Sequence, residues 1–89
     1  VVSTELFEHA ENWREIIANA AGHLVKGGLF IATCAGPGRG PHGQHGASET
    51  QPGEWYENVE PEALRVACSA FRLVHIDVLS TDVRVLAWR

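Results

Sequence analysis

The chain has 89 residues, 45% of them hydrophobic and 20% charged, with a formal net charge of -4. This composition excludes a disordered, collagen-like or disulfide-dense chain, and a chain this short holds one domain at most, whose core buries only about 60 to 65% of the unfolded surface. The seven basic residues are scattered, which argues against nucleic acid as a partner. Cys34 and Cys68 lack CxxC spacing and point to a reducing cytoplasm, and with no signal peptide and no apolar run of membrane-spanning length, export and membrane insertion are not expected.

In chain order, Val1-Val2-Ser3 reads as the end of a buried strand. There is no Met, and the chain opens as though inside a strand, so residues 1–89 are expected to be a fragment, a single partial domain. Trp13, Ile16, Ile17, Ala20, Ala21 and Leu24 then fall on one helical face. Glu11 and Asn12 supply an acidic or capping start, and Gly27-Gly28 the stop. Leu29 to Cys34 is a continuous apolar run, read as a strand covered on both faces in a parallel sheet. Strand, helix and strand make a right-handed βαβ unit.

Residues 36–60 form a long Gly- and Pro-rich loop, a length typical of binding loops, lids or disordered segments. Pro61 suits the first turn of a second helix with Leu64, Ala67, Cys68 and Phe71 on its apolar face. Leu73 to Leu79 and Val83 to Trp88 close the chain, and the short Ser80-Thr81-Asp82 connection forces an antiparallel hairpin. The expected fold class is α/β, with element order β-α-β-loop-α-β-β.

Several clusters carry potential chemistry. Gly36-Pro37-Gly38-Arg39-Gly40 imitates a nucleotide-binding fingerprint, but no helix follows at once to hold a phosphate, so a turn-rich loop is the better reading. Glu5-Leu6-Phe7-Glu8-His9 is an E-x-x-E-H cluster directly after the first strand. If it makes one helical turn, both carboxylates and the imidazole share a face at the carboxyl edge where α/β sheets bind ligands. Two oxygens and a nitrogen suit Mg²⁺, Mn²⁺ or another divalent ion. Residue types alone favour a solvated turn with Leu6 and Phe7 packed inward. His42 and His45 lack the neighbours of a zinc site, although one of them would complete the Glu5, Glu8, His9 set; otherwise they are exposed loop histidines. Cys34 has no paired base and reads as a small buried residue. His75 and Asp77 share a half-exposed strand face. Trp55 and Tyr56 would wall a substrate pocket or anchor the loop.

Ser3 to His9, the Trp13 helix, and Leu24-Val25-Lys26-Gly27-Gly28 running into Leu29 to Thr33 together resemble the second half of a class I S-adenosylmethionine-dependent methyltransferase. The family's element here is Leu-Lys-Pro-Gly-Gly, and this chain lacks the proline. The closing helix and hairpin match the family's last helix and its sixth and seventh strands, so the resemblance covers nearly the whole chain and implies a partial Rossmann-like sheet. It places Ser3 and Thr4 beside the methionine part of the cofactor. It also implies a divalent ion, Mg²⁺ or Mn²⁺, on Glu5, Glu8 and His9 with His42 or His45 as a later ligand, and a substrate loop carrying Arg39, His45, Trp55 and Tyr56. The family's glycine-rich first-strand loop and the acid after its second strand have no counterpart in these residues. The function implied is methyl transfer from S-adenosylmethionine to an O or N acceptor, a small molecule, by a cytoplasmic enzyme of which these residues are the C-terminal half and are not active alone. A missing N-terminal half or another chain would cover the first strand. The alternative is a noncatalytic α/β interaction module or truncated relative, and a third reading is a stand-alone metal-binding protein.

Overall fold

Apolar residues at offsets of three and four bury the first helix. In the computed structural model, which describes residues 1–44 and 47–89, helix α1 spans Trp13–His23 and buries Trp13, Ile17 and Ala21. The side chain of Asn12 makes no capping bond, contrary to expectation; its backbone carbonyl accepts from the amide of Ile16 instead. The helix also ends before the glycines. Gly27 serves the next turn, taking a left-handed φ of 80° while the Gly28 amide donates to the Val25 carbonyl at 2.9 Å.

Four strands follow from the remaining patterns: β1 (Val2–Thr4), β2 (Leu29–Ala35), β3 (Leu73–Leu79) and β4 (Asp82–Trp88), with helix α2 at Pro61–Ala67 and a 3₁₀ turn at Phe7–His9. The result is a small mixed α/β fold with one four-stranded sheet. Its spatial order is β1-β2-β4-β3, which departs from chain order because the second strand of the hairpin inserts beside β2. The β1–β2 pair is parallel, with Val2 opposite Ile31 and Thr4 opposite Thr33. The β2–β4 and β3–β4 pairs are antiparallel. Strand β2 was expected to lie in a parallel sheet, and it has one parallel and one antiparallel neighbour.

The register puts Phe30, Ala32 and Cys34 of β2 on the same face as Val83, Val85 and Ala87 of β4, and all six are buried. Helices α1 and α2 cover this face, adding Trp13, Ile17, Leu64 and, just beyond α2, Cys68 and Phe71 to the same cluster. Phe30 stacks between Phe7 at 6.4 Å and Phe71 at 5.3 Å. Each fully buried aromatic or aliphatic side chain contributes about 1.5 to 3 kcal/mol, so this one layer carries the fold.

The opposite face has no helix on it among the described residues. Ile31, Thr33, His75, Asp77, Arg84 and Leu86 line a shallow hollow of about 270 Å³ there. The expectation that β2 is covered on both faces is therefore corrected: its outer residues Leu29, Ile31 and Thr33 are exposed or half-buried. The expectation of a buried first strand is corrected too, because β1 is an edge strand and Val1 and Val2 are exposed.

Candidate metal centre

Strand β1 delivers the chain to the carboxyl edge of the parallel pair, and a sharp turn follows. The Glu5 amide donates to the Thr33 carbonyl at 2.8 Å, and Glu5 takes a left-handed φ of 51°, a conformation that costs a non-glycine residue of order 1 kcal/mol or more. The 3₁₀ turn then begins only at Phe7. One helical turn carrying all five residues of the E-x-x-E-H cluster is therefore not what forms. Phe7 goes into the core against Trp13 and Phe30, and that anchor drags Glu8 beneath the surface.

Glu8 is fully buried, and neither carboxylate oxygen has a hydrogen-bond partner. The expected solvated turn forms only in part: Phe7 packs inward, but Leu6 is exposed and Glu8 is buried. A buried carboxylate without donors is among the costliest groups a fold can hold.

His9 follows, half-buried, with its Nε2 at 3.2 Å from Nε2 of His42. The long loop brings His42 there, where Nδ1 of His42 lies 3.2 Å from the Gly40 carbonyl. If that Nδ1 carries the proton and donates to Gly40, His42 Nε2 is a lone pair and His9 Nε2 must donate to it. Nδ1 of His9 is then a bare acceptor, and it is buried without a partner. The ring of Tyr56 closes the cluster edge-on, with centroids 5.5 Å from His9 and 4.8 Å from His42.

One ligand atom from each of Glu8, His9 and His42 lies within 4.8 Å of the others. Two imidazole nitrogens bound to one ion at about 2.1 Å stand about 3.0 to 3.4 Å apart in octahedral or tetrahedral geometry, a range that contains the 3.2 Å separation found. With the His9 proton moved to Nδ1, both Nε2 atoms present lone pairs, and together with the unpartnered Glu8 oxygens that tautomer fits a divalent cation. Two nitrogens and one carboxylate suit Mn²⁺ or another transition ion better than Mg²⁺, which prefers oxygen.

Glu5 stands at the rim and not inside this set. Burial, then the neighbouring Glu8 carboxylate and Asp82, push its pKa up, and Arg39 pulls against them. Burial and the adjacent His42 lower the pKa of His9, which favours the neutral ring. A cleft of about 480 Å³ opens in front, lined by Glu5, Leu6, His9, Arg39, His42 and Gln44.

The other residues singled out from the sequence are dispersed. The Ser3 hydroxyl is buried without a partner, and Thr4 is exposed at the end of β1. Arg39 borders the cleft, with Nη1 donating to Asp82 at 2.8 Å. Trp55 is exposed and does not line the cleft. His45 lies outside the described residues. Cys34 is buried, and burial followed by the Glu8 and Glu5 charges pushes its thiol up to about 12, which leaves it a core side chain. The Gly36–Gly40 segment leads directly into no α-helix among the described residues, where α2 begins only at Pro61, as expected of a turn-rich loop. Asn58, which no spacing rule singles out, bonds both Tyr56 and Arg39.

No protein-family model, curated protein or solved structure matches this chain.

Proposed function

We propose that this chain is the metal-binding, acceptor-side half of a class I S-adenosylmethionine-dependent methyltransferase, with a Rossmann-like sheet of which β1 to β4 form the later strands. The observation that carries the metal part is the buried Glu8 carboxylate, unpartnered and converging with His9 and His42. It sits where a parallel β-α-β unit presents the carboxyl ends of its strands, the ordinary ligand edge of α/β sheets. The methyltransferase part rests on the resemblance of residues 1–35 and on the parallel pair followed by an antiparallel hairpin.

In this reading Glu8, His9 and His42 hold the ion, which when bound lowers the pKa of an acceptor hydroxyl. Glu5 at the rim, its pKa already raised, takes up the acceptor's proton. Leu6 lines the cleft and limits water, Tyr56 backs the two imidazoles, and Arg39 offers a cationic edge to a polar acceptor. Ser3 and Thr4, at the end of β1, place backbone beside the methionine part of the cofactor. Most of the catalytic gain would come from alignment of acceptor oxygen and sulfonium carbon.

Two measurements test the two parts separately. Titration with Mn²⁺, followed by electron paramagnetic resonance, should show one site in the parent chain and a loss of at least about tenfold in affinity in Glu8→Gln; equal binding by both removes the metal centre. Amide chemical shifts recorded at saturating, millimolar-scale S-adenosylmethionine should move at Ser3, Thr4 and Glu5, and shifts confined elsewhere withdraw the methyltransferase reading.

A further inference from the structure

The segment after the long loop is tied down on both sides of one residue. The Glu57 amide donates to the Glu8 carbonyl at 2.9 Å, and the Val59 amide donates to the Ala35 carbonyl at 2.8 Å. One end of this strap therefore rests on the turn that holds Glu8 and His9, and the other on the carboxyl end of β2. Between them the half-buried Asn58 reaches the other way, its Nδ2 donating to the Arg39 carbonyl at 2.9 Å. Its Oδ1 accepts from the Tyr56 hydroxyl at 2.7 Å. That hydroxyl also lies 3.4 Å from the Gly40 carbonyl, and the ring it belongs to packs on His9 and His42.

We infer that Asn58 is a positioning residue that sets His42 against His9. The loop from Gly36 to Glu60 is rich in glycine and proline, and among the described residues no strand or α-helix carries residue 42, so the placement of His42 draws on side-chain ties. A primary amide is the one group that satisfies this geometry, because it donates to the Arg39 carbonyl while accepting from Tyr56. Aspartate would face the Arg39 carbonyl with a second acceptor, and leucine would offer nothing to either partner. The Arg39 and Gly40 carbonyls so held lie three and two residues before His42. Outer partners of this kind fix the orientation of a ligating imidazole, and their loss costs about 10- to 100-fold in metal affinity.

The inference rests on the metal reading for its consequence, but the positioning itself is measurable without an ion. In the 89-residue chain, Asn58→Asp and Asn58→Leu should abolish the nuclear Overhauser contact between the rings of His9 and His42 and lower Mn²⁺ affinity at least about tenfold. Asn58→Leu preserves bulk and guards against a folding failure of the aspartate, and Tyr56→Phe should reproduce part of the loss. On a His42→Ala background the same Asn58 substitutions should lower affinity no further, since their effect passes through His42. Retention of the ring contact in both Asn58 variants, or an equal affinity loss with and without His42, overturns the inference. A parent chain that binds no Mn²⁺ but shows the ring contact overturns the metal reading instead, and leaves Asn58 to be judged on that contact.

Discussion

Two acidic side chains of this molecule, Asp77 and Glu8, are handled in opposite ways. On the open face of the sheet, Asp77 of β3 sits across from Arg84 of β4, with Nε donating to Oδ1 at 2.8 Å and Nη2 to Oδ2 at 2.7 Å. The bidentate pair holds the Asp77 carboxyl below its usual range, through the Arg84 bonds first. At the carboxyl edge, Glu8 is buried with no cationic partner and no hydrogen bond to either oxygen, the Glu5 carboxyl being an acidic neighbour. The pair on the open face is chemically complete and exposed to water, and an ion pair of that sort contributes little. The edge cluster has no such partner, and in the proposed metal reading a cation supplies it. The contrast separates an acid paired within the sheet from an acid buried without a cationic partner.

Four experiments break or sharpen that contrast. The largest effect expected is ligand-linked stability: Mn²⁺ at about one hundred times its dissociation constant should stabilise the parent chain by about 2.7 kcal/mol, read as a rise in the unfolding midpoint. His42→Ala should sharply reduce that rise at the same Mn²⁺ concentration, and Asp77→Ala should leave it intact. Next, in metal-free solution, Glu8→Leu should raise stability by about 1 to 3 kcal/mol, because it removes a buried group with no partner; a fall in stability would mean that Glu8 is already satisfied in the folded chain.

The third effect is pH-dependent. The pKa of His9 is lowered from its ordinary value of 6.5 in the folded chain, so the unfolded chain takes up the proton first. Stability associated with His9 is therefore present above 6.5 and is lost as pH falls through the lower folded value. Protons compete with the ion at the same nitrogen, so Mn²⁺ affinity should fall between about pH 7 and about pH 5. An affinity independent of pH would exclude imidazole ligands. The smallest effect is expected at the complete pair: Asp77→Ala should barely move the unfolding midpoint, and added salt should erase what difference remains.

Much of the scaffold was legible because local spacing dictates it. Trp13, Ile17 and Ala21 mark α1 by their period, and the short Ser80-Thr81 link leaves β3 and β4 no choice but to pair antiparallel. The alternation of His75 and Asp77 against Val74, Ile76 and Val78 holds in part: Val74 and Ile76 pack on the core and His75 and Asp77 face the open side, but Val78 is exposed. The site was legible only as residue types. The left-handed Glu5, which shifts that acid out of the helical turn, has no signature in spacing, because residue types alone did not reveal the turn of the backbone. The burial of Glu8 follows from Phe7 docking between Trp13 and Phe30, a tertiary fact. Asn58 was invisible for the same reason, since its partners are 2 and 19 residues away. The open face of the sheet was missed because an apolar strand such as Leu29–Cys34 looks the same whether its outer side is covered or bare.

The shortness of β1 bears on the order in which the molecule comes apart. Three residues pair it to β2, across a separation of 29 positions, whereas β3 and β4 zip together over seven residues from a tight bend. Closure of the distant pair costs more chain entropy for fewer bonds. Amide exchange should accordingly be fastest at β1 and slowest in the hairpin. Glu8 and His9 hang from that weakest strand, so a cation gripping them would act as a rivet on the first seam to open.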